Sequence, residues 1–211
     1  MLSSLVERLN DRRRADEEVG EDAGFTLIEL MVVLLIMAIL LAIAIPTFLG
    51  VTGSANDRAA QSNLNTALTN AKSFYQSNGQ TFISTATGTS TTSTSASSAL
   101  VSAMSTQEPS VTWTTGDSSA SGVISVYVDS DGNGVVLAAL SKTNVCWLLV
   151  DNETAETTAP AGITGSQLNA GTWYGGWPNS SATTCTADVA SAPAGIKWNA
   201  AGTAGFPGGL P

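Results

Sequence analysis

Every residue from Leu30 to Ile45 is apolar, and one acid, Glu29, stands directly in front of that run. No charge appears again until Asp57. At about 1.5 Å per helical residue, residues 25–49 would span roughly 37 Å, enough for a tilted crossing of a bilayer core. A carboxylate at the middle of a membrane costs about 2.5–3.5 kcal/mol and less near an interface, so an acid at this place points to a function with a partner. A secretory signal would carry its small-residue cleavage site after the apolar core. Here the small residue, Gly24, precedes the core, so the helix is expected to be kept. Four arginines upstream (Arg8, Arg12, Arg13 and Arg14) predict a cytoplasmic N-terminus and an exported remainder.

The order Gly24, Phe25, Thr26, Leu27, Ile28, Glu29, then an apolar stretch with Pro46 and Phe48, resembles the N-terminal signal of type IV pilins and pseudopilins. The resemblance covers roughly residues 24–48. It implies that a prepilin peptidase cuts between Gly24 and Phe25 and N-methylates the new N-terminal Phe25. It also implies that Glu29 is the assembly acid, meeting the α-amino group of a neighbouring copy's Phe25. Implied partners are further copies of the chain in a helical filament, the peptidase/methyltransferase, an assembly platform with minor pilins, and membrane lipid before assembly. The implied location is the cytoplasmic membrane first and the cell surface after polymerisation. Many members carry a glycine between the acid and the proline; this chain has Ile36, Met37, Ala38 and Ile39 there, leaving Pro46 as the residue expected to kink the helix. The alternatives are a pseudopilin of a secretion or DNA-uptake machine, and a single-pass anchored protein that never polymerises.

The expected organisation is a cleaved leader at 1–24, a transmembrane and assembly helix at 25–53, and an exported head at 54–211. Leu64, Ala67, Leu68, Ala71 and Tyr75 recur at helical spacing, which predicts an amphipathic helix over 54–77 continuous with the apolar one and closed by Asn78-Gly79. Residues 84–99 are nearly all Ser, Thr, Ala and Gly, and are expected to form a surface loop, since they offer little apolar surface to bury. β-Branched runs at 123–128, 135–140 and 145–150, with 111–115 as a first or edge strand, predict an antiparallel sheet over about 111–151. The fold class is therefore α+β, a long N-terminal helix packed on a C-terminal antiparallel sheet, as the resemblance also implies.

Asp129, Asp131 and Asn133 open a D-x-D-x-N-G turn, the start of a calcium loop, and some pseudopilins are stabilised by calcium. The same residues make an ordinary hairpin turn, and the twelfth position is Leu140 where a calcium loop has an acid. Cys146 and Cys185 both fall on the exported side, 39 positions apart. Pilins commonly close a C-terminal loop with such a pair, and the bridge would pin the tail at 146–211 to the sheet, contributing roughly 4 kcal/mol in the chain-entropy model. The aromatics of that tail, Trp173, Tyr174, Trp177, Trp198 and Phe206, are expected to cover the end of a small core without regular structure. With no histidine in the chain, Ser-His-Asp and Cys-His catalysis are absent, and no phosphate-binding glycine pattern precedes a helix. Beyond Gly24, four basic residues face ten acidic ones, a balance that gives nucleic-acid binding no support.

Overall fold

A computed structural model describes residues 25–83, 92–156, 163, 165–178, 184–188, 195–199, 205–208 and 210. Helix α1, Leu27–Ser77, continues as a helix through Pro46. The chain divides into two units, the first ending at Phe48 and the second being Leu49–Pro211. Within the first unit, apolar side chains project outward all along the helix. Pro46 has no N–H to offer the preceding turn. One residue on, the Thr47 hydroxyl donates to Ile43 O at 2.7 Å, so side-chain bonding supplements the helix at this point.

In the second unit, α1 buries Ala60, Leu64, Ala67, Ala71 and Phe74, a stripe at helical spacing turned onto the sheet. The helix ends where Gly79 turns to φ +77°, a conformation that costs glycine nothing. The sheet comprises β1 (Thr112–Thr114), β2 (Val123–Val128), β3 (Gly134–Leu140), β4 (Val145–Asn152), β5 (Gly171–Pro178) and β6 (Lys197–Trp198), ordered in space as in the chain. All neighbours are antiparallel except β1 and β2, which run parallel with Trp113 opposite Ile124. Buried Ser118 secures the connection between that parallel pair. Its hydroxyl accepts from Leu140 N at 2.8 Å and lies 2.6 Å from Val123 O, and its N–H donates to Cys185 O at 2.7 Å.

β3 and β4 are buried nearly throughout because both faces of the sheet are covered. On one face Leu137, Ala139, Trp147 and Leu149 meet the helices. On the other Val136, Leu148 and Val150 meet Ile163, Trp177, Cys185 and Ala187.

Two expectations are corrected, and the antiparallel sheet is refined in one detail. The loop expected over 84–99 gives way to a helix α2, Ser93–Gln107, while 84–91 lie outside the described residues. Its anchors are Ala96, Leu100 and Met104, spaced by four, so much of the apolar signal lay just beyond the Ser/Thr-rich window. Buried Ser97 donates to Ser93 O at 2.7 Å and accepts from Val128 N–H at 2.8 Å, which gives a hydroxyl a place in the core. The sheet is antiparallel in all but its first pair, because β1 approaches β2 from a crossover and not from a hairpin. The tail expected to lack regular structure supplies β5 and β6. Gly175 and Gly176 hid that strand: a Cβ on Gly175 would lie 2.7 Å from the Trp198 ring, and one on Gly176 would lie 3.0 Å from the Trp147 ring. Here glycine is the condition for aromatic cover, not a sign of a loop.

Candidate functional site

Phe25 and Thr26 precede the helix, and Thr26 and Glu29 close a capping box over its first turn. Thr26 N–H and the Thr26 hydroxyl both donate to Glu29 Oε2 at 2.8 Å, and Glu29 N–H returns a bond to Thr26 Oγ1 at 3.3 Å. The carboxylate therefore already has work inside its own chain, satisfying N-terminal donors that a helix leaves open and facing the positive end of its dipole. Sequence reasoning assigned Glu29 to assembly and missed this local role. The pattern Thr-x-x-Glu before an apolar run was the signal for it. Phe25, Leu27, Ile28 and Leu30 around the box are exposed, and apolar exposure continues to Val51. Among the described residues, α1 is the helix long and apolar enough to cross a membrane. Gly24 lies outside the described residues.

The D-x-D-x-N-G turn joins β2 to β3. Asp129 N–H donates to Gly134 O at 2.9 Å, and Asp131 accepts from Asn133 N–H at 3.0 Å. Gly132 stands at φ +78°, and a Cβ there would strike the Thr81 hydroxyl and come within 2.8 Å of the Ile83 side chain. Asp129 and Asp131 converge, but the third carboxylate comes from Glu156, beyond the end of β4. Oxygens of the three lie within 4.8 Å of one another. Asn133 contributes its main chain instead, accepting Glu153 N–H at 2.9 Å, and Leu140, in the twelfth position, ends β3. Burial, and then the charges of Asp131 and Asp129, push the Glu156 carboxyl up to about 7. Burial likewise raises Asp129. Such oxygens are the hard donors that calcium takes; equally, carboxylates this close repel one another's charge, part of what holds Glu156 up.

On the opposite face of β4, Lys72 of α1 reaches Asp151 at 3.0 Å and Glu153 at 3.6 Å. Asp151 is 1% exposed along its side chain and also accepts the Thr172 hydroxyl at 2.6 Å. Desolvation works against the lysine charge, but Asp151 and Glu153 outweigh it and hold Lys72 above the ordinary lysine value. The charges join helix to sheet at a point no sequence pattern singled out. Cys146 of β4 is disulfide-bonded to Cys185, with Cα atoms 5.3 Å apart, which ties the tail to a central strand.

A family model described as the prokaryotic N-terminal methylation motif matches residues 21–45. The N-terminal segment is similar to that of type IV pilins. A type IV major pilin protein, PilA, of Myxococcus xanthus (strain DK1622) is 43% identical over 70 residues. That alignment covers 33% of this chain and 28% of the relative. No solved structure matches. The pilin-type segment thus coincides with the exposed apolar helix and its Thr26–Glu29 box, and the head that follows is the α+β arrangement of a helix on a mostly antiparallel sheet.

Proposed function

We propose that this chain is the structural subunit of a type IV pilus-like surface filament. The observation that carries the reading is the exposed apolar run of α1 headed by a carboxylate, at the residues that the methylation motif matches. The subunit waits in the cytoplasmic membrane with its N-terminus inside, until a prepilin peptidase removes residues 1–24 and methylates Phe25. Lipid tails are as apolar as the helix, so leaving lipid for a helix bundle brings no simple hydrophobic gain. Selectivity then falls to packing and to Glu29, which accepts the positively charged amine of the neighbour's Phe25 in a medium where charges interact strongly. Buried ion pairs of this kind are best attested as setters of register. Because Glu29 already caps its own helix, the incoming amine adds to or displaces the Thr26 bonds. The assembly energy is the difference between the two arrangements.

The test is mass spectrometry of material sheared from cells. A chain beginning at Phe25 and carrying a methyl group, in abundant filaments, is the expected result. Processed chain confined to membranes would assign it to a secretion or DNA-uptake machine, and unprocessed chain would leave a plain membrane anchor. Glu29→Ala should be processed normally yet yield no filaments; normal yield would remove the assembly role.

A further inference from the structure

The groove beside α1 in the head has no part in the foregoing. It holds about 320 Å³ and is lined by Ser54, Asp57, Arg58 and Gln61 of α1, Trp147 of β4, and Phe206, Pro207, Gly208 and Leu210 of the tail. Its walls are fixed. Asp57 Oδ1 accepts the Thr143 hydroxyl and, at 3.4 Å, Trp147 Nε1, while Phe206 stands edge-on to Trp147 and Tyr174 with ring centres 5.5 and 5.0 Å away. The Ser54 hydroxyl is turned to Val51 O at 3.1 Å. Among the described residues, Arg58 and Gln61 make no side-chain hydrogen bond or ion pair, and Arg58 is exposed.

A guanidinium in a concave site, next to an unengaged amide, is suited to a planar anion held by two parallel bonds. Two facts narrow the anion. Asp57 shares the groove and would repel a phosphate dianion more than a single carboxylate. Beyond Gly24 the chain carries ten acids against four bases; Lys72 is already taken by Asp151 and Glu153, and Lys142 sits on an open turn. The abundant anions around a polymerised copy are therefore carboxylates of its neighbours, and Asp117 and Asp131 are exposed.

We propose that the Arg58 groove receives a carboxylate side chain of a second copy of this chain, joining head to head. This rests on the filament reading and adds to it a contact independent of the Glu29 pairing. Tethering by the apolar helices makes the second contact effectively intramolecular, so a modest pairing suffices.

The experiment uses filaments of the full chain. Arg58→Lys retains the charge and adds an amine at a position where the wild type has none. Carbodiimide treatment should then give a new dimer on denaturing gels, with an amide mapped from position 58 to a carboxylate peptide of another copy. Arg58→Glu should lower the yield of sheared filaments about tenfold while the Cys146–Cys185 bridge still forms. No amide at position 58 between copies, or Arg58→Glu filaments recovered at wild-type yield, overturns the proposal and leaves the filament reading standing. A wild type that forms no filaments overturns both.

Discussion

Replacing Lys72 with methionine keeps the bulk of the side chain and removes its charge, leaving the buried Asp151 carboxylate with only the Thr172 hydroxyl and one oxygen that has no hydrogen-bond partner. Breaking a fully buried pair costs about 3–5 kcal/mol. The Lys72 side chain is 40% exposed, so solvent already screens part of the attraction, and about 2 kcal/mol is the appropriate expectation. For a domain of this size that corresponds to a fall of about 4–8 °C in the melting midpoint. The assay is a double-mutant cycle by thermal unfolding of the full chain in detergent, with Lys72→Met, Asp151→Leu and the pair together. Asp151→Leu alone strands the lysine charge at the helix–sheet junction, but the double variant replaces two charges by apolar groups and should regain most of the loss. A coupling of about 1.5 kcal/mol or more is expected. Additivity within about 0.5 kcal/mol would refute the idea that these two groups act as one clamp.

Because Glu156 binds its proton more tightly folded than unfolded, its contribution is full at low pH and is lost as pH rises towards about 7. Stability should therefore fall by about 1–2 kcal/mol between pH 5 and 8 after allowance for partial exposure, and Glu156→Gln should flatten that slope in pH-resolved melting. Gly132→Ala forces a side chain into a left-handed turn and against Thr81 and Ile83, and is expected to cost about 1–3 kcal/mol by chemical denaturation. Replacing Cys146 and Cys185 with serine should destabilise the head by up to about 4 kcal/mol and expose the tail to proteolysis, with reduced wild type behaving alike.

What the sequence revealed follows from how local each signal is. The apolar run and its leading acid are contiguous, and β2 to β4 are compact β-branched runs, so each could be read without knowing its neighbours. Helix α2 could not, since its first turns are serine and threonine whose hydroxyls return to the helix backbone, and only packing on β2 makes them a helix. β5 was obscured because its glycines make sense only beneath Trp198 and Trp147. The carboxylate cluster was half visible: Asp129 and Asp131 lie in one turn, while Glu156 arrives from beyond a whole hairpin. Thr26 was read as one letter of a motif, although its spacing from Glu29 also encoded a cap.

The order of the strands has a consequence for when the head can fold. Each strand from β2 to β6 pairs with the strand made just before it, so the sheet can grow outward as successive residues emerge. Neighbours close in sequence meet quickly, because little chain entropy is lost in bringing them together. A chain threading a membrane with its N-terminal segment held back can thus lay down β2, β3 and β4 before its C-terminus has crossed. Only then does β5 arrive to cover the outer edge of β4, and Cys185, the bridge partner of Cys146, comes after it in the chain. Disulfide formation would then mark a head laid down through β5, with β6 and the Phe206 cover still to follow.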